Sequence, residues 1–248
     1  MYFKAKIVDL VVGIHAQFSY IKEYMRDYVV EEYEAEFEVF STLEEIEIHR
    51  QKSNRNRSDE FEEVFVIFDK ICKILPKYNR FLMHGAVISY EQNGYVFTAP
   101  SGVGKTTHIH LWKDFLGEKV TIMNGDKTFF QVREDGIYVY GSPLAGKEGW
   151  NTNTCEKLKG ICFLSQGNEN VIKKISKEAS LPLFIRQIYR PNDVEMAGKV
   201  LELLNCVIEE IPLYSMKCDI SEDALQTSFE AMTGLDYRRE IGEIKNEG

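Results

Sequence analysis

The sequence predicts an α+β fold with a small N-terminal α+β lobe, residues 1–80, and a β-rich core with C-terminal helices, residues 81–248. The first 80 residues mix strand-like and helix-like segments. From 81 to 164 most segments are short, strand-like and joined by turns, with one helix among them. The C-terminal third alternates helix and strand. Regular βαβ alternation is absent, so the pattern does not favour a doubly wound parallel sheet.

Composition indicates an ordinary globular chain. The 248 residues are 44% hydrophobic and 28% charged, which excludes a disordered protein and allows one large or two small domains. A net charge of −9 disfavours nonspecific binding to nucleic acid or to an anionic membrane surface. Without a long apolar run or a signal-peptide pattern, we expect a cytoplasmic protein. The five cysteines include no C-x-x-C pair and are interpreted as reduced thiols.

The N-terminal lobe is predicted to contain both strands and helices. Ser41 to Glu44 has the form of a capping box that opens a short helix. The polar stretch 51–58 is interpreted as an exposed loop, and apolar residues recur at helical spacing from Phe61 to Leu75. The other segments are a strand at 5–12, a helix at 18–28 and a half-buried strand at 34–39.

The core is predicted to be built from strands around one helix. The turn-forming pair Asn93-Gly94 lies between strands 82–89 and 95–98, which predicts a hairpin. A second hairpin is predicted around residues 134–136. The remaining predicted elements are strands at 119–123, 158–164 and 213–218, and helices at 106–116, 180–189, 193–208 and 221–232.

Residues 99–107, Ala-Pro-Ser-Gly-Val-Gly-Lys-Thr-Thr, follow a predicted strand and lead into a predicted helix. Backbone N–H groups of such a glycine-rich turn converge on phosphate oxygens, at the positive end of the following helix. Lys105 can reach the β- and γ-phosphates, and the Thr106 hydroxyl can bind Mg²⁺. Ala99 replaces the first glycine of G-x-x-x-x-G-K-[ST]; an ordinary strand–turn–helix corner is the alternative. The predicted nucleotide-binding residues are Ser101, Gly102, Val103, Gly104, Lys105, Thr106 and Thr107.

Other candidate site residues lie on neighbouring segments. Asp126 ends a predicted strand, where a carboxylate can hold Mg²⁺ or accept a proton from an attacking hydroxyl, unless it only caps a turn. His84 can assist proton transfer or bind phosphate, or it can be a hydrogen-bonded structural residue. Lys147 lies in the glycine-rich stretch 141–151, which is either a surface loop or a mobile active-site loop. His108 and His110 are interpreted as structural.

Together these residues resemble the kinase core of the HPr kinase/phosphorylase family and its relative, ATP-dependent phosphoenolpyruvate carboxykinase. The resemblance covers roughly 81–232 and lies in His84-Gly85, in Ser101-Gly102-Val103-Gly104-Lys105-Thr106 and in Asp126. It extends more loosely to Gly146-Lys147 and to residues 211–214. The family's Asp-Asp pair is Gly125-Asp126 here, so one carboxylate must serve the roles that the family divides.

The resemblance implies a β-rich P-loop kinase core with ATP and Mg²⁺ bound at the loop. We expect a phosphotransferase that moves the γ-phosphoryl group to a hydroxyl, with serine in a peptide or small protein as acceptor. Asp126, Lys105, His84 and Lys147 are its expected catalytic residues, and Thr106 and Asp126 its Mg²⁺ ligands. The alternatives are a carboxykinase-like enzyme acting on a small organic acid and a non-catalytic ATP-binding or peptide-recognition module. Whether the chain forms a homo-oligomer is left open by the sequence.

Overall fold

A computed structural model describes residues 1–53 and 56–247. They form two compact units, Met1–Tyr78 with Pro191–Lys199 and Asn79–Arg190 with Val200–Gly248. The predicted exposed loop at 51–58 falls partly in a helix that ends at Ser53, and residues 54–55 lie outside the described residues. No helix in the described part of the chain is long and apolar enough to span a membrane.

The smaller unit contains a four-stranded mixed sheet in the order β3-β1-β2-β4. The predicted single strand at 5–12 is wrong. Val8 and Asp9 both adopt positive φ, and this turn makes an antiparallel hairpin of the two flanking strands. The elements of this unit are β1 (Tyr2–Ile7), β2 (Leu10–His15), α1 (Tyr20–Tyr24), β3 (Val29–Val30), β4 (Phe37–Phe40), α2 (Leu43–Ser53) and α3 (Asp59–Ile74).

The starts of α2 and α3 in the smaller unit follow capping chemistry. The Ser58 hydroxyl accepts a hydrogen bond from Phe61 N at the start of α3, which has the predicted buried apolar face. The capping box of α2 is one residue later than predicted. Glu45 N donates to Thr42 Oγ1 and Thr42 N donates to Glu45 Oε2, both at 3.0–3.2 Å.

The larger unit is built around a nine-stranded mixed sheet in the order β5-β9-β10-β11-β7-β6-β8, with β13 paired to β11 and β12. Its elements are β5 (Arg80–His84), β6 (Ala86–Tyr90), β7 (Asn93–Thr98), α4 (Lys105–Leu116), β8 (Val120–Asn124), β9 (Lys127–Arg133), β10 (Gly136–Tyr140), β11 (Cys155–Gln166), β12 (Val171–Lys174), α5 (Lys177–Ile185), α6 (Val194–Glu210), of which residues up to Lys199 belong to the smaller unit, β13 (Leu213–Cys218), α7 (Glu222–Thr233) and α8 (Tyr237–Glu247).

Strand directions bring several strand ends to one edge of this sheet. β6 is antiparallel to both β7 and β8, so β7 and β8 run in the same direction. β11 is parallel to β7, and β13 is parallel to β11. The carboxyl ends of β7, β8, β11 and β13 therefore lie along one edge, where α/β proteins commonly bind ligands.

Apolar residues cover both faces of the large sheet. Alternate residues of β7 point to opposite faces, with Val96 in one cluster and Phe97 in the other. α5 and the part of α6 from Val200 onward contribute to the first cluster. Trp112 of α4 and Phe229 of α7 are buried in the second. The sheet is thus a layer between helices, and apolar packing on both faces holds its strands in place.

The turn before β7 is not where the sequence predicts it. Glu91 and Gln92 adopt positive φ and form the turn between β6 and β7, whereas Asn93 and Gly94 belong to β7. The hairpin itself forms as expected. The chain also breaks at Gly85, which divides the predicted strand 82–89 into β5 and β6. In the larger unit, β12 and α8 were not predicted.

Candidate active site

The glycine-rich loop joins the carboxyl end of β7 to the start of α4. Gly102 and Gly104 adopt φ of 83° and 111°, conformations that other L-residues rarely take. A Cβ at either position would have no other heavy atom within 4 Å, so backbone conformation rather than crowding favours glycine. The first N–H groups of α4 have no partner within the helix, and the loop delivers them to the sheet edge. This arrangement suits an anion.

Lys105 is folded back over the loop. Its Nζ donates to the carbonyl of Ala99 at 3.0 Å, and the residue is only 6% exposed. Burial lowers the pKa of Lys105, and the negative charge of Asp126 partly offsets this effect. The ammonium group is therefore close enough to the Asp126 carboxylate for their charges to interact.

The side chains of Asp126 and His84 meet between the end of β8 and the end of β5. His84 Nε2 donates to Asp126 Oδ1 at 3.1 Å, and Gly85 N donates to the carbonyl of Asp126 at 2.8 Å. Burial alone would raise the pKa of Asp126. The hydrogen bond from His84 and the charges of His84, Lys127 and Lys105 outweigh it, so the pKa of Asp126 is lowered below its usual range. Asp126 is thus an ionised carboxylate at neutral pH.

Asn124 shapes the turn that presents Asp126. This fully buried side chain accepts hydrogen bonds from Asp126 N and Lys127 N, each at 2.7 Å. Its amide nitrogen donates to the carbonyl of Ser142 at 2.8 Å. One buried amide therefore connects the Asp126 turn to the start of the 141–151 segment. Sequence analysis missed this role, although Asn-Gly before an aspartate is a turn signal.

Gln187, in the segment after α5, holds the other side of His84. Its Oε1 accepts a hydrogen bond from His84 Nδ1 at 2.9 Å, and its main-chain carbonyl accepts one from His84 N at 2.8 Å. Sequence analysis missed Gln187 as well. It is 103 positions from His84, and no local pattern singles it out.

The 141–151 segment packs against the Asp126 turn at both of its ends. Gly125 N donates to the carbonyl of Trp150 at 3.2 Å, and the Trp150 ring lies 3.8 Å from the His110 ring. A Cβ on Gly146 would lie 3.0 Å from the Asp126 Cβ. Lys147 is next to this close approach, but its side chain is exposed and has no ion-pair partner in the described parts of the chain. The structure thus places the backbone beside Lys147 close to the Asp126 turn.

The predicted Mg²⁺ ligands are of the right chemical type. Thr106 offers a hydroxyl in the first turn of α4 and Asp126 a carboxylate, and hard oxygen donors are what Mg²⁺ prefers. Only one Asp126 oxygen is hydrogen-bonded to another described residue, which leaves the second for a ligand. Within residues 1–53 and 56–247, no group of three or more His, Cys, Asp or Glu residues forms a dedicated metal site.

His108 is a structural residue, as the sequence analysis expected. It lies inside α4 with Nε2 donating to Ser228 Oγ at 3.0 Å, and burial lowers its pKa to about 4. The cysteines of the described residues are free thiols. Beyond the predicted loop residues, Gln166 contacts the loop, because its side-chain amide donates to the carbonyl of Gly102 at 3.4 Å.

Comparisons with known proteins give distant similarities to solved structures. No protein-family model and no curated protein matches the chain. Among solved structures, the HPr(Ser) kinase/phosphatase from Coxiella burnetii is similar with a TM-score of 0.36 and 10% identity, over 67% of this chain and 99% of that one. This is a weak, fold-level similarity to an enzyme of that name.

Proposed function

We propose that the chain is an ATP- and Mg²⁺-dependent kinase that transfers the γ-phosphoryl group to a hydroxyl, with serine in a peptide or small protein as the acceptor. One observation carries this proposal. A glycine-rich loop with two positive-φ glycines, a buried lysine and an ionised carboxylate held by a histidine lie at one edge of the large sheet. Lys105, Asp126 and His84 come from three separate segments.

The loop and Lys105 would bind the phosphates of ATP. The amides of Gly102 to Thr107 would donate to phosphate oxygens, and Lys105 would exchange the Ala99 carbonyl for the β- and γ-phosphates. Breaking one hydrogen bond to a backbone carbonyl is a small cost beside a charge-assisted bond to phosphate. The hydrogen bond between Lys105 and Ala99 in this structure is therefore compatible with nucleotide binding.

Asp126 and His84 would act at the acceptor side. Mg²⁺, held by Thr106 and Asp126, would neutralise negative charge on the phosphates. The lowered pKa of Asp126 makes it a good charged ligand and a weak general base. Phosphoryl transfer through a loose transition state demands little proton removal, so a weak base is sufficient. His84 would hold the Asp126 carboxylate in place through Oδ1, and the second oxygen of Asp126 would bind Mg²⁺.

The first test is binding. ATP with Mg²⁺ should raise the melting temperature by mass action, by several degrees at 100 times the dissociation constant, which corresponds to about 2.7 kcal/mol. Lys105→Ala should remove most of this shift, and Lys113→Ala on the same helix should not. Equal shifts in the wild type and Lys105→Ala would contradict the assignment of the loop.

The second test is turnover. Wild-type protein with γ-labelled ATP should label a serine in peptides encoded by neighbouring genes, and alanine in place of that serine should prevent labelling. Label on a small organic acid instead would support a carboxykinase-like enzyme. ATP binding without transfer to any hydroxyl would support a binding module, for which the absence of a second aspartate beside Asp126 is the favouring observation.

A further inference from the structure

We propose that Gln187 is a positioning residue for His84. Its side chain fixes the imidazole ring so that Nε2 faces Asp126 and Asp126 keeps one oxygen free for the site. The effect on turnover rests on the proposed kinase function. The effect on the ring does not, because it follows from the contacts of the chain alone.

The His84 ring is hydrogen-bonded at both nitrogens. Nδ1 donates to Gln187 Oε1 at 2.9 Å, and Nε2 donates to Asp126 Oδ1 at 3.1 Å. The second side-chain torsion of histidine is broad, and a single hydrogen bond would leave it loosely set. Two bonds at opposite sides of the ring fix it. Without Gln187, the ring could turn away from Asp126 without losing a second partner.

The position of Gln187 does not depend on its own side chain. His84 N donates to the main-chain carbonyl of Gln187, and Tyr189 N donates to that of Leu82, both at 2.8 Å. Between these bonds, Met83 and Ile188 form an antiparallel bridge, and Ile188 is buried in the core. Substitution of the Gln187 side chain should therefore leave the segment in place.

The amide supplies what this place requires. Its oxygen accepts from the Nδ1–H group, and a leucine side chain of similar size offers no acceptor. A glutamate keeps the acceptor oxygen at the same distance along the side chain. Gln187→Leu and Gln187→Glu therefore separate the hydrogen bond from side-chain volume. Gln226→Leu, on α7, is the matched control because its half-buried side chain donates to Glu230 Oε1, away from His84.

Nuclear magnetic resonance of the ring tests the inference directly. Protein labelled with ¹⁵N in its histidines has five ring systems, and His84→Gln identifies the signals of His84. We expect a slowly exchanging Nδ1–H signal for His84 in the wild type, in Gln187→Glu and in Gln226→Leu, and its loss in Gln187→Leu. The other four histidines should not change. An unchanged His84 spectrum in Gln187→Leu would overturn the proposal.

Turnover tests the consequence, with ATP and water as the acceptor so that no peptide is needed. Gln187→Leu should lower kcat by about 10- to 100-fold, the usual loss for a partner of a functional side chain. KM for ATP should stay within about 2-fold of the wild type, since Gln187 is not part of the phosphate loop. Gln187→Glu should recover most of kcat. A Gln187→Leu enzyme with wild-type kcat would contradict the positioning role in catalysis.

These readouts separate the inference from the proposed function. Wild-type protein that turns over no ATP would count against the kinase proposal. The nuclear magnetic resonance comparison would still decide whether Gln187 holds the ring. Loss of the slowly exchanging His84 signal in Gln187→Leu, with an unchanged melting temperature, shows that the ring has lost its hydrogen bond to residue 187 in a folded protein.

Discussion

Asp126 and Lys147 are both charged residues of the proposed site, but the chain holds them in very different ways. The backbone and side chain of Asp126 are fixed by Asn124, Gly85 and His84. Lys147 lies between Gly146 and Gly149, both with positive φ, and its side chain is exposed. Asp126 is held in place before a substrate arrives. We expect Lys147 to reach its working position through movement of the loop tip, residues 146–149.

This difference indicates which parts of catalysis each residue can serve. A group that binds metal and phosphate gains from a fixed position, because little reorganisation is needed when the ligand binds. A group that covers the transferring phosphoryl must also let substrate enter and product leave. The following substitutions break or sharpen this comparison, beginning with the largest expected effect.

Asp126→Asn removes the fixed charge and keeps the size of the side chain. We expect turnover to fall by about 10²- to 10⁴-fold, because neither metal binding nor proton transfer survives the loss of the carboxylate. ATP should still bind, and the melting temperature should rise with ATP in both proteins. The measurement is phosphate release from ATP at saturating nucleotide. Unchanged turnover would place the chemistry elsewhere.

Lys147→Ala removes the exposed charge of the loop tip. A single donor to a transferring group is typically worth about 10²- to 10³-fold in rate, so kcat should fall by that amount. Stability should change by less than about 0.5 kcal/mol, since an exposed lysine contributes little to folding. Lys159→Ala, an exposed lysine of β11, is the matched control and should leave kcat unchanged. If both variants keep wild-type kcat, Lys147 is only a surface charge.

The proteolytic sensitivity of the tip gives a second measure of Lys147. A protease specific for lysine should cut after Lys147 more slowly when ATP, Mg²⁺ and acceptor are all present. Equal cleavage with and without these ligands would contradict closure of the tip.

Local sequence signals predicted some elements of both units. The apolar spacing of α3 and the glycine loop before α4 each depend on residues close together in the chain, and both elements form where they were expected. The Asn-Gly signal was misleading. Non-glycine residues Glu91 and Gln92 take positive φ instead, because the pairing of β6 with β7 determines the turn.

The supporting contacts of the site were harder to predict. Gln187 meets His84 only because the segment after α5 pairs with β5, and this pairing joins residues more than 100 positions apart. Sheet order decides such contacts, and a single sequence contains no local record of it. The roles of His84, Lys105, Asp126 and Lys147 stay predictions.

Asn124→Ala should destabilise the turn that carries Asp126. It removes the acceptor for Asp126 N and Lys127 N and the donor for Ser142, so we expect a loss of about 3 kcal/mol in the free energy of unfolding. Urea unfolding measures this as a lower midpoint at unchanged slope. Asn93→Ala removes a half-buried side chain that donates to the carbonyl of Glu91, and it should lose less than about 0.5 kcal/mol. Equal losses in the two variants would mean that the Asn124 network is not stabilising.

Gly146→Ala and Gly149→Ala test how residues 146–149 contact the Asp126 turn. Gly146 and Gly149 have φ of 74° and 69°, so each alanine should cost about 1 kcal/mol in backbone strain. Only the alanine at 146 meets another group, since its Cβ would lie 3.0 Å from the Asp126 Cβ, whereas a Cβ at 149 has open space.

The difference between these two variants therefore isolates the contact with Asp126. Gly146→Ala should lower kcat several-fold more than Gly149→Ala, because a small displacement of a reacting group costs rate. The two variants should differ in the free energy of unfolding by less than about 1 kcal/mol, since Asp126 is partly exposed and the loop can yield. Equal kcat in both variants would show that the tip does not press on Asp126 during turnover. A larger loss in Gly149→Ala would show instead that bending of the loop at residue 149 limits the reaction.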